Sequence, residues 1–419
     1  MADRGPLREG QHTFETIVLS KKYQDSDNAS VKSENIIGQV TSVDLTESIF
    51  NGVMALQIGM VDAVDLIGTF PILGEETILL RFNSAGAEPV EMIFDVVAVT
   101  DLKVNNLGTT QTYTLTCVSQ AYSKNALISI DGVLSGLVSE GIKSVLERHD
   151  FRINQIDPTQ GNQEFVIPGL SPYDTVNLLR KHAYHAANPY QVFYFYETLD
   201  GLNFRDVSKL IAAEPVAKYA YSLGQSTLHF GPRQDGFISA LKVDISARID
   251  STRYTQDGTL GAKVREINYY TKQIKDYGSS YTDQLEKIKK AVKRPSTAPS
   301  IQSKTYIEKV SVNPSTYLVN RNHIDRLDSI STVPKLSSSK FLGHLVGALQ
   351  VPGNSAIRAG DTIIVKYPRV VSKGTARIED KQVSGKYLIS SVSHSINLNK
   401  YETTIEIIND SFTEDLHND

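Results

Sequence analysis

Two stretches of this chain, one near each end, spell out the same succession of features. A repeat on that scale limits the possible folds more than any single motif does. The first stretch runs Val53-Met-Ala-Leu-Gln57, Gly74-Glu-Glu-Thr-Ile78, Val96-Val-Ala-Val99 and Thr112-Tyr-Thr-Leu-Thr116. The second runs Val346-Gly-Ala-Leu-Gln350, Gly360-Asp-Thr-Ile363, Ile389-Ser-Ser-Val392 and Tyr401-Glu-Thr-Thr-Ile405. Each reads as strand, acidic turn after glycine, strand and closing hairpin strand. The spacings differ by several residues, so a chance likeness of two β-rich blocks is the alternative. A true duplication would give two copies of one small antiparallel barrel in a chain. Three chains would then present six copies in a closed ring.

Short alternating runs between Gly, Asn and Pro turns predict antiparallel strands over residues 34–122. Val133, Leu134, Leu137, Ile142, Val145 and Leu146 fall at helical spacing. Ser171 as a cap and Pro172 in the first turn open a second helix, predicted to run to about Ala187. The runs Tyr190–Tyr196 and Leu202–Arg205 flank Asp200-Gly201, a hairpin dipeptide. Strand character returns at Phe237–Ile245 and from Phe341 to about Asp410. In the polar stretch between, Tyr281–Lys293 reads as a helix and Arg294–Ser300 as a linker. The expected fold class is α+β, mainly β: two tube-like antiparallel β-barrel domains with inserted α+β domains. The boundaries are a 1–33 N-terminal arm, in which Thr13–Leu19 is strand-like, and a 34–122 first barrel. A 123–216 α+β insert follows, then 217–250 plus 341–410 as the second barrel. Residues 251–340 form a peripheral insert and 411–419 a tail.

Bulk composition narrows the function. The 419 residues suffice for two to four domains. The net charge of −4 argues against a dedicated duplex binder, which would carry a basic stripe. The one cysteine, Cys117, lies in an alternating run and reads as a small buried apolar residue. No disulfide is expected, which fits assembly in a reducing cytoplasm. No run is long and apolar enough for a membrane span, and the N-terminus lacks a signal-peptide core.

Candidate chemistry is sparse. His182 and His185, read on one helix face, are the metal-ligand candidates, without a convincing third ligand; no cofactor is expected. His394, in a predicted strand, reads as a buried, hydrogen-bonded structural histidine. Asp62, Asp65, Glu75 and Glu76 cluster by sequence at loop and turn positions. They read as a solvated face, with a lumenal or interface role as the other possibility; paired carboxylates would also suit a glycosidase. The aromatic run Tyr190–Tyr196 offers a carbohydrate platform if one of its alternating faces is exposed. Lys287, Lys289, Lys290, Lys293 and Arg294 make a basic patch that reads as a solvated helix face. Nucleophile-elbow, zinc-protease and phosphate-loop motifs are missing, and the chain has no Trp.

Three passages resemble the baseplate hub proteins of contractile-tailed bacteriophages, relatives of the central hub of type VI secretion spikes. The first is Ile37-Gly-Gln-Val40 and Ser48-Ile-Phe-Asn-Gly-Val53 through Pro71-Ile-Leu-Gly-Glu-Glu-Thr77. The second is Ser171-Pro-Tyr-Asp-Thr-Val-Asn-Leu-Leu179 with Tyr194–Arg205. The third is Gly360-Asp-Thr-Ile363, then Ser384–His394 through Tyr401–Ile405. The resemblance implies a homotrimeric ring that matches a hexameric tail tube or tube-initiator protein on one face. The other face receives a trimeric spike, and further baseplate proteins surround the ring. DNA would pass through the lumen without specific binding, and the location is the virion tail, with assembly in the host cytoplasm. The chain is then expected not to be an enzyme. The rival expectations are a tail-associated peptidoglycan hydrolase, with convergent carboxylates or a metal, and a carbohydrate-binding tail module, with clustered exposed aromatics.

Overall fold

The computed structural model describes residues 12–21, 32–84, 88–105, 107–188, 190–221, 236–247, 261–268, 272–280 and 304–308. It further describes Ser331, Lys335, 342–343, 345–368, 379–380, 383–397 and 400–409. The N-terminal residues before His12, the helix and basic patch expected in 281–294, the linker 294–300 and the tail 411–419 lie outside the described residues.

The chain opens with β1 (His12–Lys21), β2 (Ser33–Asn35), β3 (Val40–Ser48) and β4 (Ala55–Asp62). A one-turn helix α1 (Leu66–Thr69) leads to β5 (Glu76–Ser84), β6 (Val90–Val104) and β7 (Gln111–Ser119). A mixed block follows: α2 (Gln120–Ala126), β8 (Ile130–Leu137), α3 (Val138–Arg148), β9 (Ile153–Ile156) and β10 (Asn162–Leu170). It continues with α4 (Pro172–Lys181), β11 (Phe193–Thr198), β12 (Gly201–Asp206) and α5 (Val207–Ala212). The rest is β: β13 (Ala217–Ala220), β14 (Ile238–Ser239), β15 (Lys242–Ala247), β16 (Gly261–Asn268), β17 (Gln273–Ser280) and β18 (Lys304–Glu308). Last come β19 (Leu345–Pro352), β20 (Thr362–Lys366), β21 (Gly385–Asn397) and β22 (Lys400–Asn409).

Period-two patterning builds the first sheet. Val43 and Leu45 of β3, Leu56 and Ile58 of β4, Ile78 and Leu80 of β5, and Leu115 and Cys117 of β7 all face one core. A second core holds Leu349 and Val351 of β19, Ile363 and Val365 of β20, Ile389 and Val392 of β21, and Ile405 and Ile407 of β22. The two β blocks have one topology. In space the first runs β3-β4-β7-β6-β5, the second β15-β19-β22-β21-β20, and all neighbours are antiparallel. In chain order both are first, second, fifth, fourth, third strand. Gly74 and Gly360, before the third strand of each block, have φ of +90° and +93°, the left-handed region that favours glycine. The flanks differ: β1 lies antiparallel on β5, whereas β13 lies parallel on β20. The blocks are fused into one 14-stranded sheet where β3 pairs with β21. The strand-like piece expected in the N-terminal arm is β1, a member of this sheet.

The mixed block departs from expectation in two places. Val133, Leu134 and Leu137 are not on a helix but in β8, which pairs with β10 over eight positions. Gly132 and Gly136 adopt φ of +131° and +117°, which interrupts any helix, so α3 starts only at Val138. It buries Val138 together with Ile142, Val145 and Leu146, and these last three are the later part of the expected stripe. The second helix opens as read: the Ser171 side chain accepts the Asp174 N–H and Pro172 stands in the first turn. It stops at Lys181, however, with His182 as C-cap. The Asp200-Gly201 hairpin forms between β11 and β12, and β9 adds a parallel strand.

Candidate functional site: the seam between the two β blocks

Each β block buries its own apolar face, so the seam between them must be held by backbone pairing and by specific polar groups. Ser42–Ser48 of β3 run antiparallel to Ser391–Asn397 of β21. Side chains add to the ladder: Ser391 Oγ donates to the Glu47 carbonyl at 2.9 Å, and the Thr46 and Ser393 hydroxyls meet at 3.3 Å.

Glu47 is the node of this seam. Alternation turns it inward with Val43 and Leu45, and it is fully buried. Its Oε1 accepts the Leu199 N–H at 3.1 Å from the tip of the β11–β12 hairpin. Its Oε2 accepts the Ala359 N–H at 3.2 Å from the turn before β20. One carboxylate therefore ties together the first β block, the mixed block and the second β block. Arg358 sits beside it, with Nε 2.9 Å from Asp200 Oδ2 on the same hairpin tip. The Arg358 N–H donates to Asp361 Oδ2 at 2.9 Å. Burial drives the Glu47 pKa up to about 7, against the opposing pull of Arg358 and the two N–H donors.

Glu197, near the end of β11 and two residues before Leu199, makes a second tie. It accepts the Met54 N–H at 3.1 Å and the Ser119 hydroxyl, both in the first block. Burial raises its pKa to about 7 as well, with the Ser119 and Met54 bonds opposing. A third tie is a buried hydroxyl pair, Ser84 and Ser355, at 2.6 Å. Gly353 lies flat against the Tyr401 ring, where a Cβ would come within 2.1 Å of the ring carbons.

The mixed block is clamped by apolar contacts too. Phe193 and Phe195 of β11 pack with the helices, while Tyr194 and Tyr196 pack with Ile49, Leu388 and Ile408 of the seam. All six residues of β11 are buried. The aromatic run therefore has no exposed face, and the sugar platform is lost because the strand is sandwiched between two cores.

The other sequence candidates fall into separate places. Asp62 ends β4 and is buried; its carboxylate accepts the N–H groups of Val64, Leu66 and Ile67 and the Gln111 amide. Burial opposes its charge, yet these donors together hold its pKa below the usual range. Glu76 is buried and accepts the N–H groups of Leu73, Gly74 and Glu75, with Lys21 Nζ at 2.5 Å. Burial opposes its charge too, but the Lys21 bond and these N–H donors keep its pKa low. Both carboxylates are thus turn-building groups and not a solvated face. Asp65 and Glu75 are exposed. His182 and His185 share no helix face, because α4 ends before them; His182 packs on Phe165, ring centroids 5.1 Å apart. Among the described residues no three His, Cys, Asp or Glu side chains gather as a metal site.

His394 is fully buried in β21, its Nδ1 2.9 Å from the Tyr401 hydroxyl and 3.3 Å from Thr403 Oγ1. Burial, aided by the Arg358 charge, pushes its pKa down to about 3, so it is neutral. Cys117 is buried, and burial together with Asp95 pushes its thiol up to about 12. Both fill the structural roles read for them. A cleft of about 390 Å³ lies between β6 and α2, with Glu91, Lys124, Asp150 and Arg152 among its lining groups. The carboxylate that reaches it from the seam, Glu197, already accepts two bonds from its own chain.

Sequence reasoning missed Glu47, Glu197 and Arg358. The first two were detectable. Val43-Asp-Leu-Thr-Glu-Ser-Ile49 and Phe193-Tyr-Phe-Tyr-Glu197 each place a Glu within an apolar strand, where a buried charge demands partners.

No family model matches the chain. Over 95% of each chain it is 21% identical to "Probable baseplate hub protein gp334" of Vibrio phage KVP40. Among solved structures, the tail protein from Neisseria meningitidis MC58 aligns with a TM-score of 0.55 at 10% identity, over 95% of this chain and 98% of that one. The prophage MuSo2 43 kDa tail protein from Shewanella oneidensis also gives 0.55 at 10% identity, over 96% and 99%. These two structures share the fold. The likeness to baseplate hub proteins, carried by three passages of the sequence, extends over nearly the whole chain.

Proposed function

We propose that this baseplate-hub-like chain is the structural hub of a contractile phage tail baseplate. Two tube-like barrel domains per chain would form a homotrimeric, pseudo-sixfold ring between a hexameric tail tube and a trimeric spike. The observation that carries this reading is the fusion, edge to edge through β3 and β21, of two β blocks with identical strand order. A chain that contains two equivalent units turns a threefold assembly into six near-equivalent positions, which is what a symmetry adaptor requires. The hub likeness and the shared fold of two tail proteins support a place in the virion tail.

The ring would act by geometry rather than by catalysis. The buried acids of the seam and turns hold backbone N–H groups of their own chain, which is the chemistry of adhesion. Once the spike leaves, the lumen would serve as a conduit for the genome. A net charge of −4 suits a wall past which phosphates slide. Asp65 and Glu75, the exposed members of the acidic group, are the lumen or interface candidates.

Light scattering on the purified full chain, alone and mixed with its spike protein, tests this. A mass three times that of the 46.3 kDa chain in either sample is expected. A monomer that ignores the spike would overturn the reading.

A further inference from the structure

The in-chain seam is a template for a second seam that one chain cannot make. β21 has β22 along one side. Along the other it has β20 over Gly385–Leu388, then β3 over Ser391–Asn397. Its counterpart β6 has β7 along one side, and β5 on the other over Val90–Asp95. Beyond Asp95 that second side of β6 pairs with no described strand. β3 lies between β4 and β21, whereas its counterpart β15 pairs, among the described strands, with β19 alone. Among the described residues two strand edges are therefore open, and they are the counterparts of the two that meet inside the chain.

We propose that copies of this chain join head to tail through these edges, β15 of one copy pairing antiparallel with the Val96–Thr100 segment of β6 in the next. This rests on the ring reading and names the surface that builds the ring.

The registers fix the pairing. Leu56 of β4 faces Cys117 of β7, and Leu349 of β19 faces Ile405 of β22. Leu45 and Val243 face Leu56 and Leu349 from the first strands, so they correspond. Val99 and His394 face Leu115 and Thr403, each two residues before those fifth-strand partners, so they also correspond. Within the chain Leu45 faces His394. Between chains Val243 should then face Val99. The same construction sets Lys242 opposite Thr100 and Asp244 opposite Ala98.

The side chains suit this placement. Val243 is buried in the second core, and Val99 packs partly on the first. Facing each other they would continue the apolar layer that Leu45 and His394 occupy in the chain. Lys242, Asp244 and Thr100 are exposed. The free half of β6 carries exposed Val97, Leu102 and Val104, at 51%, 56% and 61% of full exposure. An open strand edge with that much apolar surface favours association over solvent. The contact is head to tail, so it closes only when the rotation per seam completes a circle. With two units per chain and equivalent seams, a sixfold circle closes at three copies.

The test uses two exposed positions in the full chain, T100C with K242C, treated with a short bis-maleimide and read on a denaturing gel. Facing residues have Cβ atoms about 4.5–5.5 Å apart, within its reach. Covalent dimers and trimers are expected from the double variant, and none from either single variant; Cys117 is buried. The in-chain equivalent, D44C with S395C, should give a crosslinked monomer. Light scattering on the same samples separates the two ideas. A trimer without covalent bands would overturn this seam and leave the ring reading standing. A monomer without bands, with or without the spike, would overturn both. Ladders beyond three would keep the seam and overturn ring closure.

Discussion

Glu47 and Glu197 show how a buried carboxylate that costs free energy in isolation can be the best available tie. Each accepts two hydrogen bonds from groups in other elements, and without it those buried donors would stay unpaired, at about 1–3 kcal/mol each. Desolvation still dominates, so both acids sit at about 7 when folded against an ordinary 4.5. Folding thus favours their protonated forms. The stability this carries is complete below the unfolded value and is lost as pH rises through 7. Asp62 and Glu76 work in the opposite sense. Their folded values are lowered, so their contribution is present above the ordinary carboxylate range and lost as pH falls through the lowered values. Stability should therefore peak in mildly acidic solution. The unfolding free energy from urea titrations should fall between about pH 5 and about pH 8, by up to about 3 kcal/mol per buried Glu. The E47Q/E197Q double variant should lose most of that slope, and an unchanged slope would contradict the assignment.

At the scale of elements, two equivalent turns carry different burdens. Gly74 and Gly360 have nearly the same φ, but a Cβ at Gly74 would meet only the Val96 carbonyl at 3.9 Å. At Gly360 it would fall 2.3 Å from the Tyr196 hydroxyl, because the second turn presses on the mixed block and the first does not. Gly74→Ala should cost the backbone strain alone, about 1 kcal/mol. Gly360→Ala should cost clearly more and shift the thermal midpoint further, which calorimetry on the two variants will compare. The misread elements have a common cause. Helical spacing in Val133–Leu146 spans a strand and a helix, because short apolar runs satisfy both periods. The pairing of β8 with β10, and glycines at positive φ, decide between them. The exposed platform expected in β11 fails for a related reason. Alternation says that a strand has two faces but not that both will be covered.

At the scale of the whole molecule, charge and symmetry bear on different questions. With 43 basic and 47 acidic residues the chain should not retard duplex DNA in a gel shift at about 0.1 M salt, since binding there depends on clustered cations. Retardation at that salt would point to a basic lumen and against a passive conduit. The mainly β character, the hairpin at Asp200-Gly201, the Ser171–Pro172 helix start, and the repeated strand-turn-strand order of the two blocks are all legible in the amino-acid order. These follow from local periodicity and turn chemistry, which act over a few residues. That β3 pairs with β21, that Glu47 joins three elements, and that Asp62 and Glu76 serve their own turns emerges only from the folded chain. The same holds for which edges stay open among the described strands. Each of these depends on groups far apart in the chain, such as Glu47 and Ala359, brought together by the burial of two separate cores, and no local pattern encodes which distant donor a carboxylate will meet.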